Sequence, residues 1–173
     1  DWGEYNTQSR QAVFYFGVKL NSGKSNIETD TLYYDAPKSQ AHFKGPTTIV
    51  SNGDVVKTQD GYFDTKKDKV ELFSRSTITS KEKVITGDTL YRDKKTGIGQ
   101  GYGNVIYVDK KNKNELHADV FVYNEKTGKG FATKKALLKD YSQGDTLFMH
   151  ADSLKIETMH INTDSAYRKV HAF

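Results

Sequence analysis

Six aspartates recur in one local context: Asp30 (ETDTLYYD), Asp60 (TQDGYFDT), Asp88 (TGDTLYRD), Asp119 (HADVFVYN), Asp145 (QGDTLFMH) and Asp152 (HADSLKIE). Paired carboxylates can do general acid–base work, but only where their environments push the two pKa values apart. Identical repeat positions predict similar environments. The expected role is therefore structural, with the carboxylates at corners of a repeated unit, bonded to neighbouring amides. His117 and His150 share a His-Ala-Asp context, but a metal needs three or four convergent ligands. His42, His160 and His171 stand in other contexts, so corner packing is the expectation there too. The glycines of GIGQGYGN (97–104) imitate a phosphate-cradling loop. The Lys-Ser/Thr ending is missing, and the strand-like VIYVD follows where a helix N-terminus is needed, so a turn between strands is expected. The run VFYF (13–16) with Tyr33 and Tyr34 offers rings for sugar stacking. Alternation places Phe14 and Phe16 on one face, which favours a role in lining an interior. No catalytic residue, metal-ligand set or cofactor motif emerges.

The elements that carry these residues are strands. Two positions after each recurrent Asp stands a large side chain: Leu32, Tyr62, Leu90, Phe121, Leu147 and Leu154. The flanking positions vary, which predicts that this one points inward each time. A second apolar mark follows in each of the first four units, at Ile49-Val50, Ile78, Val105-Ile106 and Leu137-Leu138. Between the marks lie turn sequences such as DAPKSQ, DTKKDK, DKKTGIG and NEKTGKG, where Gly supplies positive φ and Asp or Asn caps turn amides. Val, Ile, Thr, Tyr and Phe dominate the rest, as strands require. Phe14, Phe16, Val18 and Leu20 alternate with other residues at the period of a half-buried strand. No convincing amphipathic helix is present. The one ambiguous stretch, KKALLKDY (134–141), holds a strand position in the repeat.

A unit of roughly 30 residues buries too little on its own, and stacked units share one interior. The expected fold is all-β and elongated: a β-solenoid or a strand-stacked antiparallel structure, with residues 1–173 forming a single repeat-built domain. Composition agrees. Only 35% of the 173 residues are hydrophobic, yet 12% are aromatic, which suits a thin structure with large inward side chains and argues against disorder. The absence of cysteine excludes disulfides, zinc–thiolate sites and cysteine nucleophiles. No run has the apolar length of a membrane span. The net charge of +4 comes almost wholly from lysines at turns, since the only arginines are Arg10, Arg75, Arg92 and Arg168. Nucleic-acid binding would favour clustered Arg interleaved with aromatics, so it is not expected. The chain opens at Asp1 on a polar segment, as a mature or trimmed chain would. The final YRKVHAF is strand-like and lacks a cap, which leads us to expect continuation past Phe173 or pairing with another copy.

Several stretches resemble the OstA-like, LptA-like family of periplasmic lipopolysaccharide-transport proteins. They are SNGDVVKTQDGYFDTKKDKVELF (51–73), GQGYGNVIYVD with ELHADVFVYNEKTGKGFA (99–132), and GDTLFMHADSLKIET (144–158). The shared plan is a Gly-Asp/Asn-Val-Val/Ile strand, a short loop, an Ala/Gly-Asp with an apolar strand, and a Lys-rich turn. The likeness spans most of residues 27–158. It departs from the family in its many Lys-Thr-Gly turns and the doubled GDTLFMHAD element. The resemblance implies a folded-over antiparallel sheet, a β-jellyroll or β-taco, without enzymatic activity or cofactor. It implies lipopolysaccharide or a related lipid as ligand, with acyl chains held in the apolar interior. Partners would be copies of the chain or other OstA-like domains, joined end to end by strand pairing, in the periplasm and in contact with outer-membrane assembly.

The residues expected to line such an interior are Phe14, Phe16, Leu32, Tyr62, Leu90, Val105, Phe121, Leu147 and Leu154. A second reading is a structural β-solenoid, a surface or scaffold protein with no lipid ligand and a packed interior. A third is a polysaccharide-processing β-helix enzyme, which requires parallel strand pairing and clustered carboxylates.

Overall fold

Alternating strands and Asx-capped turns carry the chain through one antiparallel meander. The structure is a computed structural model and describes residues 2–23, 25–161, 163 and 165–173. Its fourteen strands are β1 (Trp2–Asn6), β2 (Gln11–Ser22), β3 (Ser25–Asp35), β4 (Gln40–Ser51), β5 (Asp54–Asp64), β6 (Lys69–Leu72), β7 (Ser76–Ser80), β8 (Lys83–Gly87), β9 (Thr89–Asp93), β10 (Ile98–Asp109), β11 (Asn114–Asn124), β12 (Lys129–Gln143), β13 (Asp145–Met159) and β14 (Tyr167–Ala172). Every pairing is antiparallel and nearly all join chain neighbours, which excludes the parallel β-helix. There is no helix among the described residues, hence none long and apolar enough to cross a membrane. KKALLKDY lies within β12, as its repeat position requires.

Each long strand bends once, and the aligned bends fold the sheet into two leaves. The bend is written into the register. β2, β4, β10 and β12 each carry an irregularity, between Tyr15 and Val18, Lys44 and Thr47, Tyr102 and Val105, and Thr133 and Ala136. Residues of positive φ occupy those corners: Phe16 and Gly17, Gly45, Gly103 and Asn104, Lys134 and Lys135. An extra residue in left-handed conformation is what turns a strand out of its plane. In the middle of the sheet the bend breaks the strand outright, giving β6 and β7, then β8 and β9. There β5, β6, β9, β10, β8 and β7 close a six-membered ring of paired strands. One leaf, here the broad leaf, also holds β1 and β14 at its two ends. The narrow leaf lacks both.

Turn chemistry sets the hairpins. Asp35, Asp64, Asp93, Asp109 and Asp140 and the amide oxygens of Asn6 and Asn124 accept backbone N–H groups two or three residues on, for example Lys67 to Asp64 at 2.8 Å and Thr127 to Asn124 at 3.1 Å. The recurrent Asp residues do something else. Asp88 accepts from Arg75 (2.9 Å) and from the Asn104 side chain (2.9 Å), Asp60 pairs with His42 (3.1 Å), and Asp119 with Lys135 (3.2 Å). Asp88 and Asp119 sit at corners as expected, Asp60 lies one position past its corner, and these bonds go to side chains rather than to amides. Asp30 and Asp88 lie directly against Gly45 and Gly103, where a β-carbon would come within 2.7 and 2.6 Å of the carboxylate side chain. Corner Asp and left-handed Gly are thus complementary halves of one bend.

Candidate functional site

Among the described residues, the space between the leaves holds both buried apolar clusters. Strand register assigns its lining. On the broad leaf, cross-strand partners run Phe14, Leu32, Phe43, Gly61, Leu72, Leu90, Gly101, Phe121, Ala132 and Leu154 in one row. On the narrow leaf the facing row is Leu20, Ile27, Ile49, Val56, Ile78, Ile85, Tyr107, Leu116, Leu138 and Met149. Phe43, Leu72 and Leu154 are wholly buried. The lining falls into two clusters, one centred on Phe43 and Leu32 and the other on Phe121 and Leu116. Each large side chain so buried contributes about 1.5–3 kcal/mol.

Near the bend the narrow leaf adds a polar row in the first half of the chain. Thr29 and Thr47 hydroxyls bond at 2.7 Å, and so do those of Thr58 and Ser76, all buried. Toward the C-terminal end the same row turns apolar, with Val105, Ala118 and Ala136. The lining is therefore more apolar there.

Between the two clusters, where Gly99 brings no side chain, lies a cavity of ≈ 60 Å³, lined also by Leu90, Phe121, Tyr107, Tyr123, Ile78 and Ile85. That volume takes about two waters. An acyl chain needs the leaves to part.

Two ionic ties hold the leaf rims together. Arg92 on β9 of the broad leaf reaches Asp54 on β5 of the narrow leaf at 2.6 Å, and Lys94 reaches the same carboxylate oxygen at 3.0 Å. At the other end Arg168 on β14 reaches Asp109 on β10 at 2.5 Å, Asn114 at 3.1 Å and the Tyr107 hydroxyl at 3.3 Å. Burial alone raises the pKa of both aspartates. For Asp54 the Ser80 hydroxyl, Arg92 and Lys94 outweigh it, and for Asp109 the Asn112 amides, Arg168 and Lys83 do, so both carboxyls are held below the ordinary value. Burial pushes the Tyr107 phenol up to about 12, against the pull of Arg168.

The nine residues singled out in the sequence divide. Leu32, Leu90, Val105, Phe121 and Leu154 face the interior and are at most 2% exposed. Phe14 is in the same row but lies near its open end and is 40% exposed. Phe16 does not share its face: the corner falls at Phe16-Gly17, φ turns positive, and the ring is 69% exposed. Tyr62 points to the outer surface of the broad leaf, where it stacks on His42 at 4.2 Å. The inward position is Gly61, because the residue in phase with the corner Asp of other units is Gln59, not Asp60. Leu147 is 61% exposed, since its Asp145 stands beside a rim turn instead of a corner and β13 is the last strand of the narrow leaf. GIGQGYGN is mostly strand: Gly97 closes the turn, Gly99 lines the cavity, Gly101 packs against Val105 and Leu90, and Gly103-Asn104 form the bend. His117 and His150 lie on the outer side of the narrow leaf with Leu137 between them. The side chain of His117 bonds Glu115. Among the described residues no group of three or more His, Asp or Glu is placed to hold a metal.

Residues 1–30 match the family model described as OstA-like protein. The OstA-like resemblance is borne out. The matched segment spans β1, β2 and the first half of β3, so it includes both leaves and the first bend. The stretches that carry the resemblance in the sequence begin at residue 51, beyond this match, and the same folded-over meander continues through them. No curated protein matches the chain.

Proposed function

We propose that this chain is a non-enzymatic module of lipopolysaccharide transport in the periplasm, holding acyl chains between its leaves and joining like modules end to end. The observation that carries the reading is the pair of facing apolar rows that run the length of a sheet folded at every strand. Burying one methylene from water is worth about 0.8 kcal/mol, so a lining of this length can hold an acyl chain of ordinary size. The OstA-like match at residues 1–30 supports the transport context. Strand addition has its substrate in β1 and β14, each paired on one side only at the ends of the broad leaf.

A second reading, a scaffold without lipid, is favoured by one observation: the interior is packed down to a cavity of ≈ 60 Å³. The two separate in solution. Purified lipopolysaccharide added to the folded chain comigrates with it at micromolar concentration under the transport reading, and slows hydrogen exchange at the rims that must reclose over it. A folded chain that neither retains lipopolysaccharide nor changes its exchange belongs to the scaffold class.

A further inference from the structure

The mouth of the central cavity carries a charge cluster that a hydrocarbon alone does not need. Arg92, Ser80, Lys83 and Glu125 line the cavity at the leaf rims, while Leu90, Phe121 and Tyr123 line its depth. Arg92 divides its guanidinium between Asp54 at 2.6 Å, the Ser80 hydroxyl at 3.4 Å and Glu125 at 3.5 Å. Lys94 shares Asp54 with it at 3.0 Å. The Lys83 ammonium lies 5.9 Å from the centre of the Tyr123 ring, and among the described residues no carboxylate comes within ion-pair distance of it. Three cations thus meet two carboxylates around an apolar hole. Arg92 and Lys94 belong to the broad leaf and Asp54 to the narrow one, so the same ion pairs hold the hole shut.

We propose that this mouth is a receptor for the anionic head of an amphiphile: a phosphate takes Arg92, Lys94 and Lys83 in place of Asp54, and the attached tail fills the cavity. The inference rests on the lipid reading above and adds the class of head group and the step that admits it. A phosphate offers more acceptor oxygens than one carboxylate and matches the guanidinium fork. Once it replaces Asp54, the tie between the leaves at this point is gone, and the rims can part beside Gly99. Head-group capture and opening are then a single exchange of counterions. A neutral amphiphile gains nothing from the cluster and must open the tie unaided.

The test follows backbone amide signals of Lys83, Gly99 and Gly101 by NMR during titration of the whole chain, below micelle-forming concentrations, with dodecyl phosphate, dodecyl maltoside or inorganic phosphate. Dodecyl phosphate is expected to shift all three amides and to bind about tenfold tighter than the maltoside, the worth of one charge-assisted contact. Arg92→Gln brings the phosphate amphiphile down to the level of the neutral one. Lys83→Gln, which breaks no carboxylate pair, does so in part and covers the case in which Arg92→Gln fails to fold. Asp54→Asn, which removes the competing carboxylate, tightens dodecyl phosphate. Equal binding of the two amphiphiles, unchanged by the variants, overturns the head-group receptor and leaves the lipid reading standing. Inorganic phosphate binding as tightly as dodecyl phosphate makes the cluster a simple anion site and also overturns it. If neither amphiphile moves Gly99 or Gly101, the lipid reading fails, and this inference with it.

Discussion

Removing one partner of the Arg168–Asp109 pair is expected to cost far more than removing any other ion pair at the C-terminal end. Asp109 is 1% exposed and Arg168 17%. Asp109 has three bonds: from the Asn112 backbone N–H at 3.0 Å, from its side-chain amide at 2.9 Å, and from Arg168 at 2.5 Å. Asp109→Ala therefore loses a turn cap and leaves a guanidinium in the interior with only Asn114 and the Tyr107 hydroxyl, while its Nε already lacks a partner. Breaking a buried pair from one side costs about 3–5 kcal/mol. Arg168→Met leaves Asp109 its two Asn112 bonds and should cost less, about 2 kcal/mol, the worth of one hydrogen bond to a charged group. Because the two changes remove one shared contact, the double variant should be more stable than the sum of the singles predicts. Urea unfolding of the four proteins measures this directly. Hydrogen exchange locates it, since β14 is paired on one side only and its amides should lose protection first. Exposed pairs such as Lys19–Glu28 (74% and 62% exposed) contribute about 0–1 kcal/mol. If the Asp109 and Arg168 variants fall in that range, or their effects simply add, the tie does not hold β14 and the reasoning about rim closure is wrong.

The pH dependence follows from the same groups. Asp54 and Asp109 have folded pKa values below the ordinary 3.8, so their contribution is complete above that value and is lost as pH falls through the folded values. Urea unfolding across pH should show the loss confined to the acid side of the carboxylate range; a decline beginning near neutrality would contradict this. Gly61→Ala places a β-carbon against the Glu71 carbonyl and within 3.0 Å of both Leu72 and Phe43. It should destabilise by about 1–3 kcal/mol, and a neutral result in thermal unfolding would mean the inner row is looser than the register implies. Thr47→Val leaves the buried Thr29 hydroxyl and the Gly45 carbonyl short of a partner and should cost about 1–3 kcal/mol. A Thr47→Val variant as stable as the parent in urea would remove the hydroxyl pair from the account of the bend.

Strand content and antiparallel pairing were legible because they rest on local chemistry: Asx-capped turns, β-branched runs and a residue two after Asp that is apolar whenever the repeat phase is kept. Leu32, Leu90, Phe121 and Leu154 face inward for that reason. The errors share one cause. A one-residue change of phase flips a side chain to the other face, and a corner inserts such a change without altering composition. Asp60 mimics the corner Asp one position late, so the local pattern points to Tyr62 where the inward residue is Gly61. Phe16 continues an alternation that the corner at Phe16-Gly17 has already ended. Leu147 repeats the motif beside a rim turn. The signal that could have found the first of these is glycine: Gly61 stands where other units carry Leu or Phe, and a residue without a side chain belongs where two strands crowd. The ionic ties were beyond local reading, since Arg92 meets Asp54 and Arg168 meets Asp109 only once the leaves are folded together. Scarcity was the available hint, with only four arginines in a lysine-rich chain and two of them spent across the groove.

The central claim is that lipid lies between the leaves. The most direct measurement places a photo-crosslinking residue at Leu90, Phe121 or Leu154, which face the interior, and at Tyr62 and Lys94 as outward and rim controls, then exposes each folded protein to purified lipopolysaccharide. The account predicts acyl-chain adducts at the three interior positions, none at Tyr62, and at Lys94 at most adducts to the head group. Adducts at Tyr62 equal to those at Leu90 and Phe121, or none at any interior position, would contradict it.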